Sequence, residues 1–322
     1  MLVPRPLFRA VPRAIAAAFD TTRPVLTQLV VTRRCNLSRG YCFEYDNTST
    51  PVPAELLLRR IDRVAELGTI VLTLTGGEPL LHPELDRLVA RVVERGVVCT
   101  LISNGYPLTA AWIDRLNRAR LTALQLSVDS LHPNQATQKA WSQLERPLRL
   151  LREGARFAVS VNAVVGACPP DELRTLVGLV REAGFYMTRG LMNDAAGQCV
   201  GGLVGQGLEQ LHEELSAGSR KSLFHLPGEG WETTLLRRGS APWRCRAGAR
   251  FLYVDESGRV GYCSQRREPA IPIEDYGRDH LRQGFELVKG CEARCTQACV
   301  RRASAFDEWR PQGSGTAKGA AG

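Results

Sequence analysis

Between residues 25 and 191, short β-rich runs alternate with amphipathic helical patterns, and this alternation restricts the chain to a parallel sheet joined by helical crossovers. The strand-like runs are residues 25–32, 69–75, 97–103, 123–128, 156–165 and 185–191. The helices between them carry their own boundary chemistry. Pro83 opens one whose apolar stripe is Leu85, Leu88, Val89, Val92 and Val93, and Gly96 ends it. Leu57, Ile61 and Val64 line another that ends at Gly68, and Leu173, Leu176, Val177 and Val180 line one that ends at Gly184. Parallel strands fed by right-handed crossovers close toward a barrel, so the expected fold class is α/β, a partial (β/α)6 barrel. Ligands of such sheets bind at the C-terminal ends of the strands.

The rest of the chain divides around this core. Residues 1–24 read as an N-terminal helix, 25–192 as the barrel, 193–242 as a connecting region with a polar helix near 208–215, 243–310 as a small cysteine-rich module, and 311–322 as a Gly/Ala-rich disordered tail. Arg5, Arg9 and Arg13 before Ala14-Ile15-Ala16-Ala17-Ala18-Phe19 have the outline of an export signal. The apolar run is too short, however, and no small-residue cleavage site follows, so a helix packed on the domain is expected. No apolar run is long enough to span a bilayer.

The net charge of +9 invites a nucleic-acid reading. Only Lys139, Lys221, Lys289 and Lys318 are lysines, and the arginines are scattered rather than clustered, so neither nucleic acid nor membrane is an expected partner. A nucleic-acid modifier would bind RNA with steep salt dependence. Ten cysteines without a convincing export signal point to metal or cluster ligation in a reducing, cytoplasmic setting.

Polar residues recur where the strands end. After the first strand comes Cys35-Asn36-Leu37-Ser38-Arg39-Gly40-Tyr41-Cys42, and the second runs into Thr75-Gly76-Gly77-Glu78-Pro79. The third ends in Ser103-Asn104-Gly105, the fourth in Ser127-Val128-Asp129-Ser130, and the fifth in Asn162-Ala163-Val164-Val165-Gly166. Each alone is ordinary turn chemistry. In the Gly76-Gly77 turn, glycines permit a ligand to approach the backbone, and Glu78 with nearby carbonyls offers a seat for a cationic amine.

Taken in order, these strand ends resemble the core of the radical S-adenosylmethionine (radical SAM) superfamily over roughly the first 190 residues. The resemblance implies that Cys35 and Cys42 ligate a four-iron, four-sulfur cluster, with the aromatic Tyr41 fitting the same motif. It implies that Gly76, Gly77, Glu78 and Pro79 hold the methionine amino group of S-adenosylmethionine. Residues matching Ser103, Asn104, Ser127 and Asp129 would contact the ribose and carboxylate, and the 162–166 edge, with Asn162 and Val165, would lie near the adenine.

Further on, Cys245 and Cys263 bracket a hairpin signal at Asp255-Glu256-Ser257-Gly258, which would bring the two thiols together. Cys291, Cys295 and Cys299 follow at four-residue spacing, one face if that stretch is helical. This region resembles the auxiliary iron–sulfur module called SPASM, or its short form Twitch. Five thiolates suit one auxiliary four-iron cluster with a spare ligand; a tetrahedral zinc is the alternative. Cys99 reads as a core residue, and Cys168 and Cys199 as loop thiols.

The first-cluster motif departs from its family at Arg39, which stands where a third cysteine is expected. A guanidinium has donors only and cannot ligate iron. Three explanations stand open: a pseudoenzyme, recruitment of Asp46 or Glu44 as a ligand, or a recent single-base change. The resemblance implies an enzyme that takes an electron from a donor, generates a 5′-deoxyadenosyl radical and modifies a small molecule or a peptide. The alternative is an inactive relative that binds S-adenosylmethionine or a partner and keeps only the C-terminal metal. No separate peptide-recognition domain fits before residue 25, which favours a small molecule or short peptide docked on the barrel.

Overall fold

The computed structural model describes residues 5–37, 46–217 and 230–310. Six strands pair in parallel and in sequence order: β1 (Leu26–Thr32), β2 (Val71–Gly76), β3 (Val98–Ser103), β4 (Ala123–Ser127), β5 (Ala158–Val165) and β6 (Tyr186–Leu191). The crossovers are α2 (Ala54–Glu66), α3 (Leu85–Glu94), α4 (Ala110–Arg118), α5 (Trp141–Gly154) and α6 (Pro170–Glu182), following α1 (Arg5–Phe19). This is the partial barrel that the alternation predicts.

The ladders of β3 and β6 begin one residue inside the predicted runs because the preceding helices use those amides. Val97 N donates to Val92 O and Phe185 N to Val180 O, each across a glycine, Gly96 or Gly184, with positive φ. A C-terminal cap of that geometry takes the N–H before the ladder can. The predicted stripe of α3 is the buried one: Leu85, Leu88, Val89, Val92 and Val93 lie in the main core with Leu72, Leu74 and Leu101 of the sheet. Each such side chain contributes about 1.5–3 kcal/mol of transfer free energy.

Beyond β6, α7 (Leu208–Ala217) pairs with α8 (Trp231–Arg238), and the chain then returns to the sheet. β7 (Phe251–Val254) lies parallel to the outer side of β1, β8 (Arg259–Cys263) adds antiparallel to β7, and β9 (Arg266–Pro272) adds antiparallel to β8. The cysteine-rich region therefore extends the barrel sheet rather than forming a sheet of its own. Its core is also shared: Cys245, Phe251, Tyr253 and Val300 pack with Ala10 and Ala17 of α1. Arg250, fully buried, ties these pieces together. It makes a two-pronged ion pair with Asp307 at 2.6 and 2.7 Å and donates to the carbonyls of Ala17, Asp20 and Arg23.

After α9 (Arg278–Glu286), the four-residue cysteine spacing does not mark one helix. Cys291 and Cys295 flank a single 3-10 turn, Glu292–Arg294, and only Cys299 lies in α10 (Ala298–Ala305). A helix through all three would carry the thiols away from Cys263 along one axis, whereas the break at Cys295 folds them around it. Among the described residues, no helix is long and apolar enough to cross a membrane.

Candidate functional site

The loop after β1 is closed at its root by backbone pairing. Cys35 N donates to Asp46 O, and Asp46 N donates to Arg33 O. The Asp46 carboxylate accepts from Ser49 Oγ, Ser49 N and Thr48 N, bonds that hold its carboxyl below the usual range and pin the returning chain. Arg39, Tyr41, Cys42 and Glu44 lie outside the described residues. Cys35 is described: it is buried, and its sulfur accepts from Leu37 N at 3.4 Å and from Asn104 Nδ2 at 3.7 Å.

The neighbouring glycines answer to a close approach, and the atoms that approach are backbone. A Cβ on Gly76 would stand 2.1 Å from Thr32 O, and one on Gly77 would stand 2.3 Å from Arg33 O. Gly77 N donates to Thr32 O and Glu78 N to Arg34 O, so this turn clamps the root of the cysteine loop. Pro79 is buried and opens a 3-10 turn, Pro79–Leu81.

Glu78 is completely buried. One carboxylate oxygen accepts from Leu80 N and Ser103 Oγ, the other from Asn104 N at 2.7 Å. Its charge is thus turned into the protein, where it joins the ends of β2 and β3. Asn104 continues the chain of bonds: Nδ2 donates to Asn36 Oδ1 at 2.8 Å as well as to the Cys35 sulfur, and Oδ1 accepts from Tyr106 N. Three strand-end residues, Glu78, Ser103 and Asn104, and the cysteine loop form one network, buried except at Asn36. Asn36, which the motif reading passed over, is part of it.

On the next strands, Ser127 pairs in register with Asn162, whose Oδ1 accepts from Thr188 Oγ1 of β6. Asp129 is fully buried: Oδ1 accepts from Val164 N, and Oδ2 faces Thr137 Oγ1 at 3.4 Å and Lys139 Nζ at 3.7 Å. Val165 is a core residue whose carbonyl accepts from Met192 N. Lys139 was not singled out from sequence; its rarity in a chain that otherwise uses arginine was the available signal.

The C-terminal thiols converge around a second centre. A cavity of about 210 Å³ is lined by Cys263, Cys291 and Cys295 together with Gln198, Gln265 and Arg266. The charges of Cys263, Cys245 and Cys291 are felt at Cys295, and that of Cys263 at Cys299. Among the described residues, no three His, Cys, Asp or Glu side chains are drawn close enough to hold a single ion as they stand. Burial pushes the Cys245 thiol up to about 12, Cys299 up to about 11, and Cys263 and Cys295 upward as well. Opposing that, backbone amides two residues on point at three of the sulfurs: Ala247 at Cys245, Gln265 at Cys263 and Gln297 at Cys295. Amide donors aimed at sulfur favour the thiolate, as a metal ligand requires. Cys35 has the same arrangement, whereas Cys99 is raised by burial alone. The donor set fits a cationic metal group. Cys199 is held against this centre by its own amide, which donates to Arg294 O. Cys168 is likewise pushed up to about 12 by burial.

A parallel partial barrel with a cysteine loop after β1 and linked polar groups at the following strand ends defines a cofactor-binding barrel. Residues 29–180, a little under half of the chain, match the sequence profile of the Radical SAM superfamily. Among curated proteins, the chain is 37% identical over 108 residues to a GTP 3′,8-cyclase of Marinobacter nauticus, a match covering 32% of this chain and 33% of that relative. The chain thus matches about a third of the length of the curated relative. Among solved structures, SuiB of Streptococcus suis superposes with a TM-score of 0.65 at 15% identity, covering 85% of this chain and 69% of SuiB. The protein anSMEcpe, with bound AdoMet and a Cp18Cys peptide, superposes with a TM-score of 0.58 at 18% identity, covering 88% and 94%. At these identities the likeness concerns the fold.

Proposed function

We propose that this protein is a radical SAM enzyme whose first cluster sits at the Cys35–Cys42 loop and whose C-terminal thiols hold an auxiliary metal group. The single observation that carries the reading is the buried network from Ser103 through Glu78 and Asn104 to the Cys35 sulfur. A buried carboxylate that joins two strand ends and supports an amide donor to a thiol makes sense if that sulfur must be held as a thiolate at a fixed point. The chemistry that a reduced four-iron cluster with S-adenosylmethionine supplies when bound is release of a 5′-deoxyadenosyl radical, which takes a hydrogen atom from a substrate. The chain itself holds the loop root through Gly76, Gly77 and Asp46 and keeps the Cys35 environment dry. Ser127, Asn162 and the Asp129–Lys139 pair offer polar groups at the β4–β5 ends for the remainder of the cofactor.

For the auxiliary group, an iron–sulfur cluster of the SPASM or Twitch kind is the reading we favour over zinc, because the thiols border a cavity instead of meeting at a point. Peptide is the favoured substrate class, since the superposed SuiB has been solved with its precursor peptide SuiA and anSMEcpe with a peptide. A small molecule is the alternative, suggested by the GTP 3′,8-cyclase.

Arg39 supports a second reading, an inactive relative, because a three-cysteine loop would here lack one ligand. Anaerobic reconstitution, counting of iron and sulfide per chain, and an assay for 5′-deoxyadenosine with a chemical reductant decide between them. Cleavage by the chain as written supports the enzyme. Iron for one cluster only, with cleavage and a second cluster regained in Arg39→Cys, supports an intact scaffold that lost its first ligand. Zinc alone, without iron in either protein, overturns both cluster assignments.

A further inference from the structure

After β6 the chain folds back on itself between Asn193 and Cys199, which form an antiparallel bridge, and the tip of this turn, Ala196, Gly197 and Gln198, lines the cavity bordered by the C-terminal thiols. Its root is fixed to the barrel: Met192 N donates to Val165 O at the end of β5, and Val200 N donates to Met192 O. Asp194 closes the turn from within. Its Oδ1 accepts from Ala196 N and Gln198 N, and its carbonyl accepts from Gly197 N. The tip then bonds to the residues on both sides of Cys295. Cys199 N donates to Arg294 O at 3.0 Å, while Gly197 O accepts from Thr296 N at 3.0 Å and from the buried Thr296 Oγ1 at 3.1 Å. Toward Cys263 the fit is equally close: a Cβ on Gly197, which has φ 71°, would stand 2.7 Å from Gln265 Cγ.

From this arrangement we infer that residues 194–198 are a clasp, supplied by the barrel, that closes the C-terminal metal centre and holds Cys295 in place, so that metal enters and leaves only when the clasp opens. The inference rests on the auxiliary-metal reading and deepens it by naming what retains the group. A ligand binds metal more tightly when its backbone is fixed beforehand, because less freedom is lost on binding. Cys295 has that property: the residue before it and the residue after it are both bonded to the turn. Gly197 and Thr296 are therefore positioning residues, which act through Cys295 and do not themselves ligate. Glycine is required at 197 on two counts, the left-handed backbone and the absence of room beside Gln265.

The test uses the full chain carrying Cys35→Ala and Cys42→Ala, so that bound metal belongs to the C-terminal thiols. This parent and its Thr296→Val and Gly197→Ala variants are loaded anaerobically with zinc, or with iron and sulfide, and metal per chain is followed after addition of EDTA. Thr296→Val keeps the shape of the side chain and removes one hydrogen bond to Gly197 O; it should release metal about fivefold faster than the parent. Gly197→Ala strains the turn and displaces Gln265, and should release metal about 10–100-fold faster. Hydrogen exchange gives a readout that a merely structural turn would not move. In the parent, the amides of Cys199 and Thr296 should exchange about tenfold more slowly with metal bound than without, and the difference should shrink in both variants. Release at the parent's rate in both variants, with exchange at these two amides indifferent to metal, overturns the clasp and leaves the metal site standing. Variants that melt lower, loaded and stripped alike, yet release metal at the parent's rate have the same meaning. A parent that takes up no metal overturns the auxiliary-metal reading itself, a result seen before any variant is compared.

Discussion

Asn104 Nδ2 stands 3.7 Å from the sulfur of Cys35, across 69 positions of sequence, while the Asn104 backbone amide is held by Glu78. The asparagine therefore connects the end of β3 to the loop after β1 through one side chain whose polar atoms are all engaged inside the protein.

Replacing Asn104 with leucine should remove the amide–sulfur contact and leave Asn36 Oδ1 and Tyr106 N without their partner. The expected cost is about 1–3 kcal/mol in stability. In an Arg39→Cys chain, iron retained at the first site and the yield of 5′-deoxyadenosine should fall by about 10–100-fold. Iron counts and product assays on the two proteins check this. Unchanged values would show that the asparagine merely fills space.

The Arg250–Asp307 pair is completely buried, so breaking it leaves a charge without a partner. Asp307→Asn should destabilise the protein by about 3–5 kcal/mol, measured by denaturant unfolding. Arg250 also donates to carbonyls at and just after the end of α1, so α1 should lose amide protection first. The double replacement Arg250→Met with Asp307→Leu should cost less than the two single changes added together.

Arg120 closes α4 in the same cap geometry as Gly96 and Gly184, with Leu121 N donating to Leu116 O, but at φ 62° it carries a side chain where glycine is favoured. The residue is exposed. Arg120→Gly should therefore raise stability by about 1 kcal/mol, read as an upward shift of the unfolding midpoint.

His212, in α7 where it meets Thr233 of α8, should make the protein acid-sensitive. Burial, with Arg189 adding to it, draws the imidazole down from 6.5 to about 4, despite Glu232 at 3.6 Å. Below the ordinary value the unfolded chain binds a proton that the folded chain refuses. Stability is fully present above about pH 6.5 and declines as the pH falls toward 4, by up to about 3 kcal/mol. Unfolding curves between pH 7 and 4 should flatten in His212→Gln across that window.

The β-rich runs and helix stripes predicted the barrel because they are local periodicities, and local periodicity settles which face of an element is apolar. The hairpin around Asp255-Glu256-Ser257-Gly258 was readable for the same reason: Asp255 Oδ1 accepts from Ser257 N and Arg259 N, all within five residues. The cysteine spacing after Cys291 left the helix conditional, and the structure does not meet the condition, since a repeat of four residues does not reveal where a helix breaks. The motif residues were likewise found at the strand ends, but what their side chains touch was not written in the motifs. Glu78 faces Ser103 and Asn104, and the two glycines before it admit the backbone of Thr32 and Arg33.

By itself, then, the sequence determined the order of the strands, the end of the sheet at which chemistry is assembled, and the cysteines available to it. Only the tertiary structure decided that β7 joins β1 and that Glu78 and Asp129 face inward. The physical reason is separation. Hydrophobic period and turn chemistry act over a few residues, whereas a buried charge is satisfied by whatever group the folded chain brings to it, here from the end of β3 or from the segment after β4.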